Sequence, residues 1–479
     1  MKNCHIEDLM SRSGVLFGTS GARGLVADMS DEVCYAYAAA FLQSVASAAD
    51  KVVLGHDLRP SSPRIAAACA AAIRQSGRQL VFAGALPTPA LAFYASQMGA
   101  PAIVVTGSHI PFDRNGIKFY RAEGEISKID EQAIQAVVIN LPNIVTPVVL
   151  PAPDELASKA YVRRYLDFFG ADSLKGLRVA VYEHSSVGRD VVRQILECMG
   201  AQVISLGRTD TFVPIDTEAV RTEDVAQAQQ WAHEHAFDAI LSTDGDADRP
   251  LIGDENGQWL RGDVVGILCA QYLQSHVVVT PVSSNTAVEK CGSFAQVVRT
   301  RIGSPYVIAG MGMALALSQG DEVVVGYEAN GGFLLGSDVM RYDRRLTALP
   351  TRDAVLPMLA LLCMAQEQGH KLSQLSKELP TRYTASDRLQ NFATAKSRAL
   401  IASLLASPDL MAAILAPQAG TVLGIDRTDG LRVTFESGDI VHLRPSGNAP
   451  ELRCYAEADT PERARLLCDG CLQRVCNDN

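Results

Sequence analysis

KVVLGHD, residues 51–57, is a short apolar run that ends in polar side chains, and together with the two segments after it this run sets the fold. A helical stretch comes next, IAAACAAAIRQSG (65–77), and then a second apolar run, QLVFAG (79–84). Strand, helix, strand is the unit that builds parallel sheet. The same order recurs twice. LRVAVYEH (177–184) leads through VGRDVVRQILECMG (187–200) to AQVISLG (201–207), and HVVVTPVSS (276–284) leads through NTAVEKCG (285–292) to FAQVVRT (294–300). Gly77 and Gly200 stand where helix C-caps are expected.

Each unit is followed by one more apolar run that ends in small and polar residues: APAIVVTGSH (100–109), FDAILSTDGDADR (237–249) and DEVVVGYEANGG (321–332). Ligands of open α/β sheets sit beyond the carboxyl ends of the strands. Three equivalent loops from three repeated domains are therefore expected to face one cleft. The chain changes character after about residue 372. A helical portion (389–405) precedes LRVTFESGDIVHLRPSGNAPELRCYAEA (431–458), which reads as strands with turns at Ser437-Gly438 and Ser446-Gly447, then a helix from Pro461. The expected architecture is three similar mixed α/β domains with parallel-rich sheets around a central cleft, plus a C-terminal α+β domain. The boundaries are placed at 1–153, 154–253, 254–371 and 372–479.

With 479 residues, 48% of them hydrophobic, the chain can bury several cores. A net charge of −10 argues against nucleic acid or an anionic membrane as partner, since both need a basic face. No apolar run approaches the roughly 20 residues that span a bilayer, and MKNCHIEDLMSRSG lacks the hydrophobic centre of an export signal. The eleven cysteines are scattered, which fits a reducing cytoplasm better than a disulfide framework. Cys269 and Cys363 read as core residues. Cys468 and Cys471 form the one candidate thiol metal pair, with no second pair to complete it.

Asp244, Asp246 and Asp248 alternate in STDGDADRP. Period-two spacing in extended chain sends their carboxylates the same way, and three such groups repel unless a cation sits among them. Oxygen-only ligands suit a hard ion such as Mg²⁺, which commonly also binds phosphate. An EF-hand is the rival reading, with D-x-D-x-D present and Glu255 at the twelfth position, but the sixth position is Arg249 where glycine is required. A solvated acidic turn is the third reading.

Ser108 follows a buried-looking strand in VVTGSHIPFDRNGIKFY, with His109 beside it and Lys118 beyond an Asn115-Gly116 turn. G-x-S-x-G is absent, so this is no nucleophile elbow; from chemistry alone an ordinary loop serine is the better reading. FGTSGARG (17–24), with Arg23, is a glycine-rich stretch whose amides can cradle phosphate. RPSGNAP (444–450) sets Arg444 beside Ser446, Gly447 and Asn448, with Arg453 further on, and arginine gives bidentate phosphate contacts. Each loop alone reads equally well as a simple turn or surface hairpin.

Together, and in this order over nearly the whole chain, the five loops resemble the α-D-phosphohexomutase family of phosphoglucomutases, phosphomannomutases and phosphoglucosamine mutases. Thr106 to Pro111 match its phosphoserine motif, which implies that Ser108 is phosphorylated and donates the phosphoryl group. Asp244 to Arg249 match its metal loop, which implies that the three aspartates and the Ser108 phosphate bind Mg²⁺. Phe17 to Gly24 match its N-terminal motif and place Arg23 near that phosphate; Lys118 matches the lysine after the serine loop, and Lys118 or His109 is expected to handle protons. Gly326 to Gly331 match the sugar loop, Glu328 at the hexose-binding glutamate and Asn330 where serine is usual. Arg444 to Pro450 match the distal phosphate loop, with Ala449 where glutamate is usual. Arg249 and Arg453 join the expected substrate contacts. RIGSPYVI (301–308) lacks the histidine found there in some members that accept both mannose and glucose phosphates.

The resemblance implies interconversion of a hexose 6-phosphate and a hexose 1-phosphate through phosphoserine and a bisphosphorylated sugar, which would also serve as activator. Phosphomannomutase is the first expectation, from the IDRTDG segment (425–430); phosphoglucomutase and phosphoglucosamine mutase come after it. A phosphatase using the same serine and metal, and a non-catalytic sugar-phosphate sensor, are the remaining alternatives. Nothing in the sequence fixes the oligomeric state.

Overall fold

A computed structural model describes residues 2–18, 21–318, 320–446 and 450–477. Its first three sheets share one wiring. In the first, strands run in the order Gln79–Ala85, Lys51–His56, Ala102–Val105, Arg114–Arg121, the first three parallel and the last antiparallel. The second repeats this with Gln202–Leu206, Arg178–Tyr182, Ala239–Thr243 and Pro250–Gly253. The third repeats it with Gln296–Thr300, Val277–Pro281, Val324–Tyr327 and Phe333–Leu335, and adds Leu349–Asp353 at its edge. The internal repetition read from the sequence is thus real at the level of strand order.

The physical cause is visible in the third strand of each unit. AIVV, AILST and VVGY are buried at every position, as expected for parallel strands covered on both faces. Each ends at one of the loops 106–111, 244–249 and 328–332. In the first unit the crossover helix Ser62–Gln75 buries Ile65, Ala66, Cys69, Ala70 and Ile73, and Gly77 closes it at φ +76°, where a side chain would be strained. The third crossover shrinks to the four-residue helix Ala287–Lys290.

The three sheets are bound into one body. Helices Thr88–Gln97, Leu156–Phe169, Gly262–Tyr272 and Val355–Gln368 contribute Leu91, Tyr94, Tyr161, Tyr165, Leu268 and Leu359 to a single continuous core. Leu372, Leu375 and Leu379 join that same core. The fourth sheet is separate and wholly antiparallel, in the order Tyr383–Leu389, Leu452–Ala458, Ile440–Pro445, Leu431–Phe435, Val422–Asp426. Helix Pro461–Asn477 covers it with Leu467, Cys468, Cys471 and Val475. The turn at Ser437-Gly438 forms as expected, Gly438 at φ +83°, whereas Gly447 lies outside the described residues.

One segment differs from its sequence reading. The helical stretch expected over 389–405 is helix Thr394–Ala406, and a strand, Tyr383–Leu389, precedes it. YTASDRL has no apolar alternation because most of its positions remain partly open, so pattern alone could not mark it. Cys269 and Cys363 are core residues, as expected, and all eleven cysteines are free thiols. No helix among the described residues is long and apolar enough to cross a membrane.

Candidate active site

The serine loop is built from the end of strand Lys51–His56. Asp57, 2% exposed, accepts from Thr106 Oγ1 (2.8 Å) and the Gly107 N–H (3.1 Å) on one oxygen, and from Ser62 Oγ (2.5 Å) and the Arg59 N–H (3.0 Å) on the other. The Arg59 guanidinium donates to the carbonyls of Ser108, Ile110, Pro111 and Arg114. This staple holds Ser108 at φ +51°, a conformation that a serine adopts only when its surroundings impose it. Phe212 caps Arg59 from the second domain, 4.3 Å from the guanidinium carbon to the ring centre.

Ser108 Oγ donates to Asp244 Oδ2 at 2.5 Å and lies 3.2 Å from His109 Nδ1. The hydroxyl and the acidic loop therefore meet in one buried cluster, across the junction of the first two sheets. The acidic loop is not an extended segment. It turns back on itself, with the Asp244 N–H bonded to the Arg249 carbonyl (3.2 Å) and Ala247 at φ +56°. The carboxylates of Asp244, Asp246 and Asp248 nonetheless converge, with ligand oxygens within 4.8 Å of one another. The turn brings them together, not the period-two alternation. The EF-hand reading fails, because strand Ala239–Thr243 leads into the loop and Glu255 is engaged elsewhere, with Ser373 Oγ at 2.6 Å.

This donor set fits a hard cation. Lys118 Nζ donates to Asp246 Oδ2 (2.6 Å) and Asp248 Oδ2 (2.7 Å), Thr88 Oγ1 donates to Asp246 Oδ2 (2.7 Å), and Arg352 Nη2 donates to Asp248 Oδ2 (2.7 Å). The opposite oxygens, Asp246 Oδ1 and Asp248 Oδ1, are buried without a hydrogen-bond partner. A buried orphan carboxylate oxygen is costly unless a ligand takes it. Each of these two aspartates thus has one oxygen gripped and one left for an ion.

Electrostatics divide the three carboxyls. Burial and the charges of Asp246 and Asp248 push Asp244 well above the usual carboxylate range. Burial opposes ionisation of Asp248 too, but Arg352, Lys118 and Arg249 outweigh it and hold that carboxyl far below its usual range. Lys118 is itself held as an ammonium, since Asp246 and Asp248 outweigh its burial. Burial, then Arg249 and Arg352, lower Arg23 to about 10, so several cations converge on this cluster. Burial and Arg249 push His109 well below its usual value, which leaves its imidazole neutral beside Ser108.

The third loop is a tight turn. The Glu328 N–H bonds to the Gly332 carbonyl (3.0 Å), the Gly331 N–H bonds to the Glu328 carbonyl (2.9 Å), and Asn330 Oδ1 accepts from the Gly332 N–H (2.9 Å). That last bond leaves Asn330 presenting its amide as a donor. Glu328 accepts from Arg352 Nη1 at 3.2 Å, and Thr217 Oγ1 donates to the Asn330 carbonyl at 2.6 Å. In the fourth domain Arg444 pairs with Asp429 (2.8 Å), the Ser446 N–H donates to the Glu451 carbonyl (2.9 Å), and Arg453 lies in the field of Glu218. Gly447 and Asn448 fall outside the described residues.

Sequence reasoning missed Asp57, Arg59, Thr88 and Arg352. Asp57 and Arg59 carried a signal, a D-x-R at the carboxyl end of the first strand. Arg352 carried none, since LPTRD is a short edge strand with nothing unusual in its spacing. The segment 212–218 was missed as well, although it sends Phe212 to the serine loop and Thr217 to the third loop.

Comparison with known proteins accounts for this arrangement. Family models of phosphoglucomutase/phosphomannomutase match in order along the chain: alpha/beta/alpha domain I over residues 14–143, domain II over 159–257, domain III over 261–383 and the C-terminal domain over 389–472. A phosphomannomutase of Salmonella muenchen is 47% identical, covering 99% of this chain and 98% of its own. A phosphomannomutase of Sinorhizobium fredii is 46% identical, covering 95% and 97%. Among solved structures, a Thermus thermophilus protein assigned as a phosphomannomutase superposes with TM-score 0.76 at 22% identity, over 96% of this chain and 99% of its own. N-acetylphosphoglucosamine mutase of Aspergillus fumigatus, solved in complex with GlcNAc-6P and magnesium, has the same fold at TM-score 0.59 and 14% identity, over 99% of both chains. The chain belongs to the phosphoglucomutase/phosphomannomutase family, the α-D-phosphohexomutases, and is a phosphohexomutase.

Proposed function

We propose that this enzyme is a phosphomannomutase that interconverts mannose 6-phosphate and mannose 1-phosphate by way of phospho-Ser108. The observation that carries the reading is the meeting of Ser108 Oγ with Asp244 Oδ2 at 2.5 Å, inside a buried cluster of three carboxylates. The two full-length relatives bearing that activity supply the choice of hexose.

Asp244, Asp246 and Asp248 would hold the metal, with Mg²⁺ favoured by the all-oxygen donors and by its presence in the Aspergillus mutase. When bound, the ion supplies charge neutralisation for the transferring phosphoryl group. The remaining work falls to the chain itself. Arg59 and Asp57 hold the nucleophilic oxygen at a fixed place. Lys118 and Arg352 fix the acidic loop, and Arg23 and Arg249 add positive charge where the equatorial phosphoryl oxygens develop theirs. Glu328 accepts sugar hydroxyls, and Asn330 donates to them. Arg444, Ser446, Gly447, Asn448 and Arg453 would seat the phosphate that does not react.

In the first half-reaction the Ser108 Oγ–P bond breaks as the free sugar hydroxyl forms a new O–P bond. The hydroxyl proton passes to a neighbouring base, a role we assign to the neutral His109 imidazole. The sugar bisphosphate then turns end for end. Its other phosphate returns to Ser108 Oγ, and the departing sugar oxygen takes the proton back. A cytoplasmic setting fits eleven free thiols.

A coupled assay with mannose, glucose and glucosamine phosphates tests the reading. The highest kcat/KM is expected for mannose phosphate, with stimulation by a hexose bisphosphate and no net phosphate release. Preference for glucosamine phosphate would move the substrate assignment, and steady release of inorganic phosphate would make the protein a phosphatase.

A further inference from the structure

Arg352 is the penultimate residue of the short strand Leu349–Asp353 and is 3% exposed. Its Nη2 and Nε donate to Asp248 Oδ2 at 2.7 and 3.1 Å, and its Nη1 donates to Glu328 Oε2 at 3.2 Å. Among the described residues, no other side chain hydrogen-bonds carboxylates of both the acidic loop and the third loop. Its neighbours fix it from two more directions. Thr351 Oγ1 donates to Glu125 Oε1 at 3.3 Å in the first domain. Asp353 accepts from Tyr161 OH (2.6 Å) and from Tyr165 OH, both on helix Leu156–Phe169. Three consecutive residues therefore tie one strand end to all three α/β domains. Gly332 leaves the guanidinium its path, for a Cβ there would lie 2.6 Å from Arg352 Cδ.

We propose that Arg352 is a positioning residue for the hexose: it holds the Glu328 carboxylate at a set place relative to the acidic loop, so that hydroxyl recognition and phosphoryl transfer share one frame. This rests on the reading above, in which Glu328 receives sugar hydroxyls. The physical ground is preorganisation. A glutamate side chain left without its partner samples several rotamers and loses that freedom again on binding. A planar guanidinium can serve two carboxylates at fixed angles, which a lysine ammonium on a flexible stem cannot. Charge-assisted hydrogen bonds are also the ones whose removal is felt most.

The test is titration calorimetry of mannose 6-phosphate against the dephosphorylated protein in EDTA, which reads binding without turnover or metal. Wild type is compared with Arg352→Lys, Arg352→Gln, Gly332→Ala and Glu328→Gln. Both Arg352 variants are expected to bind at least tenfold more weakly, with lysine giving no rescue. Gly332→Ala, which displaces the guanidinium and keeps its charge, is expected to weaken binding about threefold or more. Glu328→Gln is expected to cost at least tenfold alone and less than twofold on top of Arg352→Gln. Binding by Arg352→Lys within twofold of wild type would leave charge alone as the role and overturn the proposal. An equal cost of Glu328→Gln with and without Arg352 would overturn it too. If Arg352→Gln does not fold, Arg352→Lys and Gly332→Ala carry the comparison. A wild type that does not bind mannose 6-phosphate defeats the reading itself, an outcome distinct from a wild type that binds beside indifferent variants.

Discussion

Asp244→Asn separates the electrostatics of the acidic loop from its catalytic use. The three carboxylates place ligand oxygens within 4.8 Å of one another, and two unit charges at that spacing repel by roughly 3.5 kcal/mol at an effective dielectric of about 20. Lys118 and Arg352 compensate Asp246 and Asp248, while among the described residues Asp244 accepts only the Ser108 hydroxyl and the N–H groups of Asp248 and Arg249, both at 3.2 Å. Burial and its two neighbours raise its carboxyl well above the usual range, so in metal-free protein it holds its proton to higher pH than an ordinary carboxyl does. Asparagine mimics that state: Oδ1 can accept the same two N–H groups, and Nδ2 can face Ser108 Oγ. In EDTA the variant should therefore melt within about 2 °C of wild type, not at the deficit a lost buried charge would produce. The folded state retains a proton that the unfolded chain sheds near pH 4, so metal-free wild type loses stability as pH rises from about 4 through the raised value, and the variant lacks that slope. A metal must displace the same proton, so wild-type metal affinity falls as pH drops. Metal at about 100 times its Kd should add roughly 2.7 kcal/mol to wild type and almost nothing to the variant. Calorimetric melts with EDTA and with Mg²⁺ read all of this. A variant destabilised by about 3 kcal/mol or more in EDTA, or one stabilised by Mg²⁺ as fully as wild type, would refute the reasoning.

Lys118→Met leaves two buried carboxylates short of their shared cation and should cost about 3–5 kcal/mol in EDTA, partly recovered on adding Mg²⁺; equal losses with and without metal would contradict it. Ser108→Ala should abolish mutase activity and the added phosphoryl group in intact mass, while melting close to wild type. His442 is pushed down to about 4 by burial, so it stays neutral in the fold while the unfolded chain takes a proton near pH 6.5. Stability is thus full above about pH 6.5 and falls by on the order of 3 kcal/mol as pH drops towards 4. His442→Gln, which keeps a donor for the Asp429 carbonyl, should flatten that slope in melts from pH 7 to pH 4.

The fold was legible where burial forces a pattern. AIVV, AILST and VVGY are closed on both faces, so their sequences had to be apolar throughout, and the loops after them were marked by the sudden change to small polar residues. YTASDRL was illegible because its side chains remain partly in solvent. At the site, the three aspartates were readable as a local motif and Ser108 and Lys118 only through the family resemblance, and the structure brings them into mutual contact. The convergence of the aspartates was expected for the wrong reason, since a turn with Ala247 at φ +56° achieves what extended chain was thought to do. Arg352 and the Phe212–Thr217 segment matter through contacts 24 to 153 residues away in sequence, between separate elements where local spacing carries no information.

Direct transfer from Ser108 to sugar is the central claim, and a single-turnover experiment reaches it. Protein labelled with ³²P on Ser108 is mixed with excess mannose 6-phosphate and Mg²⁺, quenched at short times, and the label is followed. It should leave Ser108 and appear on mannose bisphosphate before any free phosphate forms. Label released straight to inorganic phosphate, or retained on Ser108 while turnover proceeds, would contradict the mechanism.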